Sequence, residues 1–394
     1  MRVGLVLERF EPCRGGLEQW TFQFAAELIR RGYEVHVVAR QFSPAIARLS
    51  ITPHRVPPVR SRLEFAEAAR AILLPLALDV VHDMGAGWYC DIFHPHGGSW
   101  ASVTERKLLL VPRWLRPLKR RLDPWLPRYR EFQQLMARQY ADRGQLLVAL
   151  SQGVADDFRR FHQVASGQIR LIHNGVDTGH FSPERAAACR AAIRRQLGLD
   201  ERSLLALIVA QNFRLKGLPT LLRALARLTA RRLPIHGVVV GGKRLGPWRR
   251  FAARLGLQRT TTFVGPVDDP LPYYGAADCY VHPTLYDTCS LVVLEAAACG
   301  LPVVTTRYNG ISELLANGVE GWIVADPTDA AELAERIATL LEPRLRLEMG
   351  AAARRLATQH TFQQNVDQIL DLYDEVVRRR VPLASLPRAA GSAR

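Results

Sequence analysis

Two stretches in the second half of the chain bring together side chains able to hold a diphosphate. The first, Gln211-Asn-Phe-Arg-Leu-Lys-Gly217, places Arg214 and Lys216 just after an apolar run that ends at Ala210. Paired cations at the carboxyl end of a strand suit a departing diphosphate, because fixed positive groups stabilise the charge developing on its oxygens. The second, Asp287-Thr-Cys-Ser-Leu-Val-Val-Leu-Glu295, sets carboxylates on either side of Thr288, Ser290 and Leu291. Hydroxyl side chains favour helix starts, where free amides and the helix dipole attract phosphate oxygens. On a helix, Asp287, Leu291 and Glu295 would share one face and present a carboxylate, a row of amides and a second carboxylate. Near the amino terminus, Gly15-Gly16 opens an apolar pattern at Leu17, Trp20, Phe24 and Leu28, so backbone amides there could approach an anion or a sugar. This is not the dinucleotide fingerprint, which needs three glycines at G-x-G-x-x-G spacing. Taken singly, each feature also suits solvated loop cations, an ordinary capped surface helix or a plain tight turn.

Such groups need strand ends to carry them. β-Branched apolar runs alternate with helical patterns along the whole chain, which marks parallel sheets covered by helices on both faces. The first half is expected to contribute strands over 2–7, 34–39, 80–82 and 145–150, and the second over 204–210, 235–241, 261–264, 279–282, 302–305 and 321–324. The fold class is therefore α/β with two doubly wound units, which the length of 394 residues accommodates. A boundary is expected near Ile172-His-Asn-Gly-Val-Asp177, where an Asn-Gly turn follows a short apolar strand. The expected units are 1–173 and 174–361, followed by an amphipathic helix over 362–380 and a small, polar, flexible tail over 381–394.

Hydrophobic residues at 48% and charged residues at 23% exclude a disordered or fibrous chain. No run of about 18 uncharged apolar residues is present, so no membrane-spanning helix is expected. The start of the chain is too brief and too charged for a signal peptide, and a cytoplasmic protein is expected. Six cysteines without a CxxC pair suggest neither a zinc site nor a disulfide framework. The formal net charge of +16 implies attraction to polyanions. Much of it lies between Glu105 and Arg130, where Arg113, Arg116, Lys119, Arg120 and Arg121 are interleaved with Trp114, Leu118, Leu122 and Trp125. An apolar stripe edged by tryptophan and flanked by cations is what an interfacial membrane segment needs, with Pro117 and Pro124 breaking it into pieces. The competing expectation is a helix packed on the first domain with its charges solvated.

The spacing from Asp287 to Glu295, the stretch Ala298-Cys-Gly-Leu-Pro-Val-Val304, the Asn174-Gly-Val-Asp177 turn with Phe181, and the early Gly-Gly turn together resemble the retaining, nucleotide-sugar-dependent glycosyltransferases of family 4. Among them the lipopolysaccharide core glucosyltransferases are the most similar. The resemblance implies the GT-B fold: two Rossmann-like domains, an acceptor-binding one and a nucleotide-sugar-binding one, facing a central cleft, with the last helix crossing back to the first domain. It assigns the phosphate-binding cations to Lys216 and Arg214, Gln211 standing where the family usually has arginine. Asp287, in place of the commoner Glu, would lie beside the donor sugar, and Glu295 would hold the ribose hydroxyls. Ser290 and Leu291 would offer amides to the diphosphate, Gly15 and Gly16 would line the donor site, and Gly265 and Val267 would lie near the base. His96, preferred over His94, would join Asp287 and Lys216 as a catalytic residue.

The same resemblance implies retention of anomeric configuration, no cofactor and no divalent metal. UDP-glucose is the expected donor, a membrane-associated glycan such as lipopolysaccharide core the expected acceptor, and a monomer at the inner face of the cell membrane the expected form. Two readings from other classes compete. One is a basic nucleic-acid-binding protein, which the charge permits but for which no motif is present. The other is a sugar-nucleotide binder without catalysis, which Gln211 and Asp287 leave open.

Overall fold

Runs such as Leu204–Val209 and Ile235–Val240 are apolar at nearly every position and buried along their length, as strands covered on both faces must be. In the computed structural model, which describes residues 1–380, they belong to a parallel sheet of six strands. Its order from edge to edge is Thr261–Gly265, Ile235–Val240, Leu204–Val209, Cys279–His282, Val303–Thr306 and Gly321–Val324. A second parallel sheet, of seven strands, runs Ile51–Arg55, Glu34–Ala39, Arg2–Val6, Val80–Asp83, Ile92–Phe93, Leu146–Ala149 and Ile169–Leu171. Each sheet winds outward in both directions from its first strand, so each has one switch point where the chain reverses its sense of winding. In the first sheet that point lies between Arg2–Val6 and Val80–Asp83, and in the second between Leu204–Val209 and Cys279–His282. The tail over 381–394 lies outside the described residues.

Ile51–Arg55 and Ile92–Phe93 lie among the strands outside the expected set, for physical reasons. Ile51–Arg55 carries Pro53 and has no fully buried residue, which an edge position tolerates and a central one does not. Ile92–Phe93 is too short to leave a periodic signal. The last helix, Phe362–Arg380, returns to the first sheet, where Val366, Ile369 and Tyr373 join Trp20, Phe24 and Leu28 in one core. Trp20 Nε1 donates to Asn365 Oδ1 at 3.0 Å, and Arg170 pairs with Glu375 at 2.6 Å, fixing that crossing.

The two units meet directly. A β-carbon on Gly16 would lie 3.2 Å from Leu291 Cδ1, so the start of the helix Gly16–Arg30 abuts the start of Leu291–Ala298. Thr288 Oγ1 donates to the carbonyl of His96 at 2.6 Å. Gly98, at φ +70°, passes so close to Tyr286 that an added β-carbon would fall 2.2 Å from its hydroxyl.

One expectation is corrected here. The helix starts at Leu291, not at Asp287, which sits in an isolated bridge opposite Asn309. Neither Thr288 nor Ser290 caps it with a side chain. Thr288 spends its hydroxyl across the interface, and the amide of Ser290 donates to Asn309 Oδ1 at 3.3 Å.

The basic segment is broken as its prolines require, into short turns at Leu108–Leu110, Arg113–Leu115 and Asp123–Trp125 around a helix at Arg116–Leu122. Its stripe does not pack on the first domain: Trp114 is 78% exposed and Trp125 71%, with Leu118 and Leu122 also exposed. No helix among the described residues is long and apolar enough to cross a membrane.

Candidate functional site

The loops that leave Leu204–Val209 and Cys279–His282 flank the switch point of the second sheet, where open α/β sheets bind their ligands. They are tied together: Leu285 donates its amide to Leu215 O at 2.9 Å, and Thr284 Oγ1 donates to the same carbonyl at 3.2 Å. Gly217, at φ +78°, makes this possible, since a β-carbon there would sit 1.8 Å from the carbonyl oxygen of Pro283. The consequence is that Lys216 reaches Asp287, with Nζ 2.5 Å from Oδ2.

Asp287 has a second partner in His282, whose Nε2 lies 3.2 Å from the same oxygen. Burial alone would raise this carboxyl. The Lys216 charge and the His282 hydrogen bond outweigh burial and hold Asp287 well below the usual carboxylate range. Burial keeps His282 below the ordinary imidazole value, although Asp287 opposes that shift. Asp287 is thus a fixed anion and Lys216 its fixed cation, poised beside the amides that begin Leu291–Ala298. Ser290 and Leu291 stand at that helix start, opposite Gly15 and Gly16 at the start of Gly16–Arg30. Two positive helix ends therefore converge, an arrangement that attracts an anion.

Glu295 lies one helical stretch further on, and Tyr274 donates its hydroxyl to Glu295 Oε2 at 2.7 Å. Burial pushes this carboxyl up to about 7, against the lowering effect of the Tyr274 hydrogen bond. Gly265 closes the strand Thr261–Gly265 at φ +99°, accepts the amide of Gly241 at 2.7 Å, and leads to half-buried Val267. Arg214 is exposed and makes no side-chain hydrogen bond among the described residues, so of the two expected cations only Lys216 is built into the crevice.

His96 stands at the seam between the units with its ring buried, packed 4.6 Å from Trp20 and 4.0 Å from His94. Burial lowers it to about 3, so it is neutral, and its Nε2 has no partner among the described residues. A neutral imidazole can bond a sugar hydroxyl but cannot act as a cation. His94 lies deeper and stacks on His82, which in turn bonds Tyr373 Oη at 2.9 Å.

A second crevice opens at the switch point of the first sheet, a cavity of about 270 Å³. Glu8 and Met84 come from the two strand ends, and Trp100, Phe132, Leu135 and Tyr140 form an aromatic and apolar wall. The loop Pro95, Gly97 and Gly98 lines it and, through Gly98, meets Tyr286 and Thr288 on either side of Asp287. Sequence reasoning missed His282, Tyr274 and this wall. His282 left a readable signal, a histidine at a strand's carboxyl end five residues before Asp287. Trp100 and Phe132 left none, because segments far apart in sequence bring them together.

Comparison with known proteins agrees with this architecture. Residues 190–356 match the family described as glycosyl transferases group 1, and residues 14–180 match glycosyltransferase family 4. A D-inositol 3-phosphate glycosyltransferase of Corynebacterium jeikeium is 30% identical over 258 residues, spanning 62% of this chain and 61% of its own length. One from a Mycobacterium species is 29% identical over 380 residues, spanning 88% of this chain and 81% of its own. Among solved structures, WaaG, a glycosyltransferase involved in lipopolysaccharide biosynthesis, has a TM-score of 0.79 at 23% identity, covering 94% of this chain and 99% of its own. HepE of Anabaena in complex with UDP-glucose has a TM-score of 0.71 at 20% identity, covering 95% of this chain and 100% of its own. The two sheets and their connections are those of the GT-B fold.

Proposed function

This chain belongs to the glycosyltransferases of group 1 and family 4, and from that premise we propose that it is a retaining hexosyltransferase using UDP-glucose. The observation that carries the reading is the Lys216–Asp287 pair at 2.5 Å beside two converging helix starts. A donor diphosphate fits between Lys216 and the amides of Ser290 and Leu291, and there Lys216 would exchange part of its contact with Asp287 for a phosphate oxygen. Asp287 and the free nitrogen of His96 would bond hydroxyls of the hexose, and Glu295 those of the ribose. Gly265 and Val267 would border the base.

In the proposed step the bond from the anomeric carbon to the leaving phosphate oxygen breaks, and the acceptor hydroxyl attacks from the same face. Its proton passes to the departing phosphate, so charge and atoms balance without a protein base. Lys216 and the helix amides would neutralise the diphosphate, and metal independence is part of the proposal. The HepE complex lends support to UDP-glucose as donor, being a similar fold that holds that compound.

The acceptor is proposed to be a membrane-associated glycan, such as lipopolysaccharide core, met at the inner face of the membrane by a monomer. Support comes from the exposed Trp114 and Trp125 and from Arg113, Arg116, Arg120 and Arg121 around one shallow recess. Lys119 is partly spent on Asp123, at 2.8 Å. Flotation with phosphatidylglycerol vesicles tests this: the chain should rise with them at low salt, and W114A/W125A should not.

UDP release from UDP-glucose tests the reaction itself. We expect turnover that survives a chelator and, with an acceptor extract, an α-configured product by NMR. A chain that binds UDP-glucose and never releases UDP under any acceptor would be a binder without catalysis.

A further inference from the structure

Lys216 and His282 both meet the same oxygen of Asp287, Oδ2, at 2.5 and 3.2 Å. Among the described residues no hydrogen bond reaches Oδ1, and the half-buried side chain keeps part of its surface open. The carboxylate therefore has one oxygen tied down and the other free for a ligand. The donor reaction, however, asks Lys216 to turn toward a diphosphate. A carboxylate in this setting is costly to leave without a partner, so whatever stays on Oδ2 after that turn decides how readily Lys216 is given up.

His282 is built to stay. It ends the strand Cys279–His282 with its side chain almost fully buried, and its carbonyl accepts the Thr284 amide at 2.8 Å and Thr305 Oγ1 at 2.9 Å. Its ring lies nearly parallel to that of Tyr280, 5.9 Å away and tilted by 16°. Tyr280 Oη takes the amide of Val209 at 3.4 Å, and its proton has two acceptors in reach, the Val209 carbonyl at 3.1 Å and His282 Nδ1 at 3.3 Å. Burial lowers the imidazole below its ordinary value although Asp287 opposes the shift, so the ring is neutral at pH 7 and carries one proton. Facing a carboxylate, that proton belongs on Nε2, which makes Nδ1 the acceptor of the Tyr280 hydroxyl. No bond in this chain from Tyr280 through His282 to Asp287 depends on Lys216. Tyr280 also packs edge-on against Tyr274 at 5.8 Å, and Tyr274 bonds Glu295, so one aromatic wall backs both carboxylates of the crevice.

We propose that His282 is a positioning residue for the donor site: by holding Asp287 Oδ2, with Tyr280 fixing its tautomer, it lets a diphosphate draw Lys216 away while Oδ1 stays aimed at the hexose. The inference rests on the glycosyltransferase reading and deepens it by naming what compensates Asp287 once Lys216 moves. His282 acts through Asp287 and touches no substrate atom.

Calorimetric UDP affinity of the full chain, with UDP release from UDP-glucose and melting temperature measured beside it, tests this. His282→Gln puts an amide nitrogen close to where Nε2 stands, whereas His282→Asn keeps a polar group near Tyr280 and falls short of Oδ2. H282Q should bind UDP within about threefold of the parent, and H282N roughly tenfold more weakly. UDP release should fall in H282N and return in H282Q. In a D287N background, where no carboxylate needs a partner, adding H282N should change UDP affinity by less than about twofold. Parent-like UDP affinity in H282N, an equal loss in H282N and H282Q, or a loss that persists in D287N overturns the proposal and leaves the donor reading standing, since UDP still binds. Should H282N not melt cooperatively, Y280F takes its place: loss of the hydroxyl should weaken UDP about a few-fold in the parent and not in D287N. No effect, or the same effect in both backgrounds, overturns the proposal likewise. A chain that fails to bind UDP removes the donor reading and this inference with it.

Discussion

The two crevices occupy the same topological place in their sheets and are furnished oppositely. Between Leu204–Val209 and Cys279–His282 the charges are interior: Lys216, Asp287 and His282 are bonded to one another, and Glu295 is bonded to Tyr274. Between Arg2–Val6 and Val80–Asp83 the interior is apolar and aromatic, and the charges stand at the rim. Winding order decides where a ligand can sit, whereas the loops decide what it can be. An interior of preset charge suits a leaving group whose charge grows during the reaction. An apolar, aromatic pocket suits a ring held by contact rather than a group whose charge changes.

The harshest way to break this contrast is Lys216→Ala. The lost ammonium leaves half-buried Asp287 with only His282 as partner and removes the cation proposed for the diphosphate. Loss of one such stabilising group typically lowers turnover by roughly 10²–10³. UDP release under saturating UDP-glucose should fall by about that factor, with melting temperature measured alongside to exclude unfolding. Turnover within threefold of the parent chain would show that the second crevice does not carry the chemistry.

How much of this contrast the amino-acid sequence discloses depends on how local each part is. The second crevice sits in two short loops, so Lys216, Asp287, Ser290 and Glu295 stand out from residue type and spacing alone. Even there, helical spacing misplaced Asp287. It lies before the helix, held by a bridge to Asn309, because the Asp287 amide bonds Tyr308 and its carbonyl accepts from Gly310. Periodicity marked the central strands, where burial on both faces leaves continuous apolar runs, and missed the edge strand with Pro53. The first crevice is non-local. Glu8, Arg62, Trp100 and Phe132 come from four separate segments, and nothing in any one of them announces a pocket. In the basic segment the pattern was visible, but only the fold could tell an exposed stripe from a packed one.

A milder test acts on the first crevice alone. Trp100→Ala opens the aromatic wall without touching Lys216 or Asp287, so it should raise the acceptor KM by roughly tenfold, on the order of 1.4 kcal/mol. Acceptor-free hydrolysis of the donor should stay as it was. Should both activities fall together, the two crevices would not be separable, and the division of labour drawn here would have to be given up.

The smallest expected effect comes from the one donor-side carboxyl that burial leaves near neutrality. Glu295 is raised from its ordinary 4.5 to about 7, chiefly by desolvation. Between those two values the folded chain keeps a proton that the unfolded chain has lost. Its contribution to stability is therefore complete below about pH 4.5 and fades as pH climbs toward 7. Ribose hydroxyls are donors and prefer the carboxylate, so UDP affinity should move the other way and rise through the same region. The gain from pH 6 to 8 should be a few-fold and stay below about tenfold, because the protonated acid still accepts one hydrogen bond. Glu295→Gln, similar in shape and unable to ionise, should flatten both slopes and leave only the titration of UDP itself. Calorimetric affinities and melting temperatures across that range measure the two slopes. A Gln variant with the parent's full pH dependence would assign the titration to another group and take Glu295 out of the ribose site.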